Sequence, residues 1–562
     1  MLESIQNLTH RKRIIFDSGI ILLASILVCL PIILNGVPAT QDIPQQYQFA
    51  QNFYDSIMNG TLYPSWADQP NLGYGDVSVR FYPPLTYYIL SFFRYLTGNW
   101  FDASCLFFIS LYFLSGLGVY SFCKQYFSST ASLIAGITYI WLPYHVMQIY
   151  LGGVFAEFTA AAIIPFCLLF INRVCKKGRL IDMCGLTFTF ALILLTHLPT
   201  SVFASLTFFI YSLFTIERKN FLSSVFKLGA SVSFSVLLSS FYLVRMITEF
   251  DWVKHSGDAF STGDYSYKTQ FVFSYFFPFL EIKHASATAG FNIISLLTIG
   301  ILLPGIVYCY REKIFSLKNI VVITFLGLFM ASPMSLIIWD LFQLLQKIQF
   351  PFRWLTIFTL GAAILSAASF SLAIEYFKTP KRYLSLLLVG VSLLTITFNY
   401  NSLMSSDITF PRFFLNNITA RFKTMPSYEC WWTNWAQKSK TNEKRPEFIA
   451  DKIDSGNRKF EIKKWSATER IFTVNEGEST QILVATLYYP HWKATVNGNP
   501  VEITPNEGGL ISIPLSNEKS EVHIFFQEPL HVMRAFYISG FAWIIFLVLF
   551  FYSTKKSTKL NL

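Results

Sequence analysis

Residues 11–35 read RKRIIFDSGIILLASILVCLPIILN. Arg11, Lys12 and Arg13 precede an apolar run from 14 to 34, and about 20 such residues at 1.5 Å each cross the hydrocarbon core of a bilayer. The run is long for the apolar core of a cleaved signal, and further runs follow it, so it reads as a first membrane helix with its basic flank inside. Comparable runs lie at 103–122, 131–146, 154–174, 181–195, 201–216, 222–244, 291–310, 319–337, 354–374, 383–398 and 535–552. Together they predict about twelve spans. Composition agrees, since 53% hydrophobic and 14% charged residues among 562 leave too little polar surface for a soluble globule.

Alternate connections carry the excess of Lys and Arg expected of cytoplasmic loops. These are Arg11 to Arg13, Lys124, Arg173 to Arg179, Arg218 and Lys219, Arg311 to Lys318, Lys378 to Arg382, and Lys555 to Lys559. Both termini are therefore expected in the cytoplasm. The run at 85–96 is shorter and contains Arg94. It would invert every later loop if it crossed, so it reads as interfacial or re-entrant. The net charge of +11 is explained by these loops, and no nucleic-acid partner is expected. Cys29, Cys105, Cys123, Cys167, Cys175, Cys184 and Cys309 fall in or beside apolar runs and Cys430 lies outside them. They form no disulfide framework and no CxxC metal motif.

Residues 400–531 change character, with frequent charges, alternating strands at 481–487 and 522–526, and the turn signals Asn497-Gly498 and Gly508-Gly509. The expected fold class is mainly α: a polytopic helical membrane protein with a C-terminal extracytoplasmic β-rich domain. Residues 1–399 would form the transmembrane domain with a long first outer loop (36–84), 400–531 the β-rich domain, and 532–562 a last span with a basic cytoplasmic tail.

The first outer loop, GVPATQDIPQQYQFAQNFYDSIMNGTLYPSWADQPNLGYGDVSVRFYPPL (36–85), is far longer than a connector needs, and long ordered loops usually carry function. Asp42 follows the first span directly. A carboxylate partly desolvated at a bilayer surface suits a general base, and an Asp there also suits a helix N-cap. Residues 45–58 form an amphipathic helix expected to lie on the membrane, with Phe49, Phe53 and Ile57 at helical spacing. Glu157 in LGGVFAEF either pairs with Arg353, orients substrate hydroxyls, joins a second carboxylate at a divalent metal, or is an ordinary helix N-terminal acid. His197 in THLPT either meets a phosphate or sugar hydroxyl or makes a structural hydrogen bond. Arg353 in QFPFRW either binds a phosphate bidentately or snorkels beside Trp354. Asp251 to Asp264 reads as a mobile lid or a solvated connector, and Trp431, Trp432 and Trp435 as a carbohydrate-stacking platform or interfacial aromatics.

The Asp after the first span, the following helix, YPSW (63–66), GYG (73–75), FYPPLTYY (81–88), GGVFAEF, THLPT and QFPFRW together resemble the bacterial multi-spanning family labelled 6-pyruvoyl-tetrahydropterin-synthase-related membrane proteins. These are similar to the GT-C glycosyltransferase superfamily. YPHWKATVNG (489–498) resembles the β module of related lipoteichoic-acid glycosylation proteins. The resemblance implies inverting sugar transfer outside the membrane from a polyprenyl-phosphate sugar, with Asp42 in the place of the superfamily's first-loop carboxylate. Glu157, His197, Arg353, Gln46 and Tyr82 are the candidate substrate contacts. Gln46 stands where a His is often found, a departure from the family pattern that bears on any proton-relay or binding role there. The pterin label has no support from zinc-ligand spacing, because His145, His197, His255, His284, His491, His523 and His531 are scattered.

The expected partners are a lipid-linked sugar donor, a cell-envelope glycan, lipid or protein acceptor, and the lipid bilayer of a bacterial cytoplasmic membrane. The competing readings are a non-catalytic envelope glycan assembly protein and a lipid-linked glycan transporter or flippase. A transporter would show repeat symmetry and charged or broken midplane helices, and the sequence displays neither.

Overall fold

The computed structural model describes residues 10–40, 42–256, 266–276, 286–311, 317–376, 409–436 and 452–560. Among these, eight helices are long and apolar enough to cross a membrane: Arg11–Asn35, Trp100–Cys123, Phe155–Lys176, Leu198–Thr215, Arg218–Leu238, Phe291–Arg311, Pro351–Leu372 and Leu530–Lys556. The chain is thus mainly helical, with a β-sheet module near its C-terminus. Three of the twelve expected spans, at 131–146, 181–195 and 319–337, form shorter or broken helices among the described residues, and the causes are local.

Proline breaks two of the expected spans. Leu142 precedes Pro143 and takes φ −60°, ψ 133°, dividing the run at 131–146 into helices Ser129–Trp141 and Pro143–Tyr150. Ser332 precedes Pro333 and is likewise extended, and the helix beyond it turns 87° from Lys318–Ala331. A residue before proline is pushed out of the α region by the pyrrolidine ring, so both breaks follow from X-Pro sterics. The helix at 222–244 stops at Leu238 and restarts as Ser240–Glu249, and Leu180–Leu194 is a short apolar helix. The expected span at 383–398 and most of the Asp251 to Asp264 loop lie outside the described residues.

Leu85–Thr97 is a helix of 13 residues closed by Gly98 in the left-handed region. At 1.5 Å per residue it is about 20 Å long, short of a hydrocarbon core. It packs against the helix Ile43–Met58, which carries Asp42 at its N-terminus. Its aromatic stripe does not face lipid as expected. Phe49 and Phe53 are fully buried, with Tyr87 stacked on Phe53 and Trp431 edge-on to Phe49. The aromatic stripe is covered by protein instead of lipid. Its polar face is also covered: Gln48 Nε2 donates to the Met425 carbonyl at 2.7 Å and Gln45 Oε1 accepts from the Tyr428 amide at 3.1 Å. Trp431 and Trp432 are buried in this packing rather than displayed as an open platform.

The described residues after 409 first rejoin the loop: Thr409–Phe410 pairs antiparallel with Val37–Pro38. The sandwich proper follows. One antiparallel sheet has the order Ile453–Asp454, Gln481–Leu487, Leu510–Pro514, Thr504–Pro505, and the other Phe460–Trp465, Glu469–Val474, Ser520–Phe526, Trp492–Val496, Asn499–Val501. Alternation puts Phe472, Val474, Ile482, Val484, Ile511, Ile513, Val522 and Ile524 into one buried core.

A buried charge cluster fixes this sandwich to the loop. Arg80 donates from Nε to Glu249 Oε2 at 2.5 Å, from Nη2 to Glu249 Oε1 at 2.7 Å, and from both Nη atoms to Glu528 at 2.6 and 2.8 Å. Arg245 Nη2 also donates to Glu528, at 2.9 Å. Tyr489 OH donates to Glu249 at 2.7 Å and His491 Nε2 lies 3.1 Å from it. Two cations meet two carboxylates, so the cluster is balanced. Burial works to raise the Glu249 carboxyl, but His491 and Arg80 outweigh it and hold it down to about 2.

Candidate functional site

Four turns at one end of the helix bundle carry the candidate residues, and each has a local reason for its shape. Asp42 ends the connection from the first span, at the N-cap position of a helix with Pro44 in its first turn. Its carboxylate makes no capping hydrogen bond, so capping does not occupy it. The turn before Glu157 needs Gly153, whose φ is +63° and whose added Cβ would stand 2.4 Å from Thr40 Oγ1 and 2.8 Å from Ile43 Cγ1. Only glycine lets this turn approach the Asp42 connection so closely. Tyr82 adopts ψ 131° before Pro83, at the end of the Ser78–Phe81 helix held by Arg80. The amide of Leu85 then donates to the Leu195 carbonyl at 2.9 Å, tying this loop to the turn that bears His197.

The fourth turn is QFPFRW. Gln349 sits at φ +70°, a left-handed conformation that costs a non-glycine residue about 1 kcal/mol or more. Phe350 is extended before Pro351. The rings of Phe350 and Phe352 stack at 5.3 Å, Phe352 stacks on Phe291 at 4.6 Å, and the Arg353 guanidinium lies 4.7 Å from the Phe350 centroid.

Arg353 joins these turns. Its Nε is 3.2 Å from Glu157 Oε2, with the two side chains 11% and 3% exposed. That separation is an ion pair without hydrogen-bond geometry, and Nε has no hydrogen-bond partner. Nη1 donates to the Ile348 carbonyl, and no hydrogen bond to another described residue is made by Nη2. Glu157 is more fully engaged: its Oε1 accepts from Tyr144 OH at 2.8 Å and from Gln148 Nε2 at 3.0 Å.

The electrostatics show the same convergence. Burial pushes the Asp42 carboxyl up from its ordinary value, and the Arg353 charge pulls against it. Burial also raises the Tyr82 phenol, with a Gln46 hydrogen bond and Arg353 opposing and Asp42 reinforcing. Burial and then Arg353 push His197 down, and the same pair outweighs a backbone hydrogen bond to bring His255 to about 4. Both imidazoles are therefore neutral near pH 7. His197 Nδ1 pairs with Thr200 Oγ1 at 2.7 Å, the geometry of a local structural bond. Gln46 is buried, and its Oε1 accepts from Tyr87 OH at 2.8 Å.

Asp42, Gln46, Tyr82, Glu157, His197 and Arg353 therefore belong to one neighbourhood. His255, Tyr87, Tyr144 and Gln148 also belong to it; Tyr87 lies within FYPPLTYY and His255 in the 251–264 loop, but no site role was expected of any of the four. His255 had a weak signal as the only His in its polar loop. Gln148 and Tyr144 had none, being ordinary residues of an apolar segment. No group of three or more His, Cys, Asp or Glu able to hold a metal occurs among the described residues.

Residues 79–405 match the family model of the 6-pyruvoyl-tetrahydropterin synthase related domain, a membrane protein. An uncharacterized protein of Lactococcus lactis subsp. cremoris (strain MG1363) is 24% identical over 255 residues, covering 43% of this chain and 41% of that one. The chain thus aligns with less than half of that relative's length. Among solved structures, the apo oligosaccharyltransferase of Archaeoglobus fulgidus aligns with TM-score 0.43 and 13% identity over 75% of this chain and 57% of its own. The oligosaccharyltransferase AglB of the same organism, in complex with an inhibitory peptide and a dolichol-phosphate, gives TM-score 0.35 and 14% identity over 73% and 56%.

Proposed function

This chain belongs to the family of 6-pyruvoyl-tetrahydropterin synthase related membrane proteins, and we propose that it is a GT-C-like membrane glycosyltransferase. It would transfer a sugar from a polyprenyl-phosphate donor to a cell-envelope acceptor on the extracytoplasmic face of a bacterial cytoplasmic membrane. On this reading both termini are cytoplasmic and the sandwich is extracytoplasmic, as the Lys and Arg distribution suggests.

The observation that carries the proposal is the pairing of a partly buried, uncapped carboxylate, Asp42, with an incompletely satisfied guanidinium, Arg353, whose charge it feels. Asp42 takes the proton from an acceptor hydroxyl as that oxygen attacks the anomeric carbon. The new C–O bond forms as the anomeric C–O(phosphate) bond breaks, and the polyprenyl phosphate leaves with the electron pair. Arg353 stabilises the charge that develops on the departing phosphate. Because a phosphate leaves without protonation, one carboxylate suffices. Glu157, already engaged by Tyr144, Gln148 and Arg353, serves the cation rather than the acceptor. Tyr82 and Gln46 line the Asp42 side as substrate contacts, and His197 borders the Arg353 side. Among the described residues of this neighbourhood, Asp42 is the uncommitted carboxylate that a divalent metal would meet.

Washed membranes carrying the protein, supplied with labelled polyprenyl-phosphate sugars, give the test. Asp42→Asn is expected to insert normally and to lose transfer by about 10²-fold or more, the range for removing a general base. Transfer by Asp42→Asn at the normal rate removes the assignment.

A further inference from the structure

We propose that Gln148 and Tyr144 are positioning residues that keep Glu157 from closing a bidentate pair on Arg353, and so keep the guanidinium open to an incoming phosphate; this rests on the reading of Arg353 as the phosphate-binding group. A buried Arg facing one carboxylate has a strong alternative to binding substrate. It can form the two-pronged pair in which both carboxylate oxygens take parallel N–H donors. Arg80 does so with Glu249, at 2.5 and 2.7 Å. Arg353 does not do so with Glu157, although both side chains are nearly as buried.

The difference lies in what occupies the carboxylate. Glu157 Oε1 already accepts two hydrogen bonds, from Tyr144 at 2.8 Å and Gln148 at 3.0 Å, which turns it away from the guanidinium. Oε2 alone faces Arg353, at 3.2 Å and out of hydrogen-bond alignment. The ion pair therefore compensates the charge of Arg353 without consuming its donors. A polar string behind Gln148 holds the amide in register. Gln148 Oε1 is 3.1 Å from His145 Nδ1, and His145 Nε2 is 3.3 Å from Ser115 Oγ. The Gln148 amide nitrogen donates to Glu157, which leaves its oxygen toward His145 Nδ1, and the Ser115 hydroxyl ends the string by donating to the Tyr112 carbonyl at 2.7 Å. The imidazole is itself clamped, stacked on Tyr139 at 4.6 Å and tilted against Phe158 at 5.0 Å. Gln148, His145 and Ser115 are all buried, and a buried polar string of this kind is costly unless every member is engaged.

Binding of undecaprenyl phosphate to the full-length protein in detergent, followed by native mass spectrometry, tests this. Arg353→Ala is expected to weaken binding about tenfold or more. Gln148→Leu, which leaves Oε1 held by Tyr144 alone and so loosens its hold against Arg353, is expected to weaken it by about tenfold. In the double variant Gln148→Leu/Glu157→Gln the competing carboxylate is gone, and binding is expected to return to within about threefold of wild type. A merely structural role for Gln148 would give no such recovery. If Arg353→Ala binds as wild type does, or wild type does not bind, the phosphate reading itself falls. If Arg353→Ala weakens binding while Gln148→Leu does not, or the double variant stays weak, the positioning role alone is overturned.

Discussion

Glu249→Gln should loosen the sandwich from the first loop without disturbing the membrane helices. The substitution keeps the side-chain shape and removes one charge from a cluster in which Arg80 and Arg245 balance Glu249 and Glu528. Arg80 is fully buried, so the surplus positive charge that remains has no water to reach. The size follows from linkage. The Glu249 carboxyl falls from an ordinary 4.5 to about 2 in the folded protein, and at 1.36 kcal/mol per pH unit that is about 3 kcal/mol at neutral pH. This agrees with the roughly 3–5 kcal/mol lost when one partner of a buried pair is removed. It corresponds to an increase of about 100-fold or more in the opening equilibrium. Hydrogen exchange of the protein in detergent at pH 7 is the assay. Amides of Trp492–Val496 and Ser520–Phe526 should exchange faster by that factor, while those of Phe155–Lys176 stay unchanged. The sign in pH is fixed as well: a depressed carboxyl stabilises fully above about 4.5 and loses that contribution as pH falls toward 2. Wild type should therefore approach the variant in acid. Exchange in the variant within threefold of wild type at pH 7 would refute the reasoning.

Two other expectations concern charges of different standing. Arg353 pulls the Asp42 carboxyl down against burial, so in Arg353→Ala the acid limb of the residual transfer rate should move to higher pH; a limb that stays in place or moves lower contradicts the coupling. Arg470 is fully buried between Trp465 and Trp492, at 4.9 and 4.4 Å, with no hydrogen-bond partner on any guanidinium nitrogen, and burial brings it down to about 9 against the opposing pull of Asp68. Arg470→Met should leave sandwich exchange unchanged or slow it, since an apolar isostere replaces an uncompensated charge; faster exchange by tenfold would show that the indole contacts outweigh the burial cost.

Much of the fold was legible because it depends on short-range patterns. Apolar runs and flanking cations mark the membrane class, the run at 85–96 is a short helix as its length suggests, and Asn497-Gly498, both at positive φ in the structure, mark a hairpin. Proline was underused: Leu142-Pro143 and Ser332-Pro333 break apolar runs that hydropathy alone counts as continuous. The helix at 43–58 had the right period and the wrong neighbour, since an aromatic stripe faces lipid or protein with equal ease. What covers it arrives from residues 425–432, several hundred positions away. Arg80 and Glu528 were invisible for the same reason, with 448 positions between them. Asp42, Glu157, His197 and Arg353 could be assigned to one end of the bundle because each sits at a turn ending an apolar run. Gln148 and Tyr144 could not, because nothing in an apolar segment says which polar side chain turns toward a carboxylate.

The two buried arginine clusters separate structural from binding roles by the same accounting. Arg80 meets two carboxylates, and donors at Nε and both Nη atoms reach an acceptor; such a group has nothing left to offer a ligand and contributes by holding three distant segments together. Arg353 meets one carboxylate out of alignment and one carbonyl, in a turn that keeps Gln349 in a strained conformation. A fold free to choose would close Arg353 onto Glu157 as it closes Arg80 onto Glu249. It instead spends Tyr144 and Gln148 on the carboxylate, which makes sense only if the open guanidinium has a partner that comes and goes. On the proposed function a leaving phosphate would be such a partner, and the neighbouring carboxylate Asp42, raised by burial, would be the base that the same reaction needs.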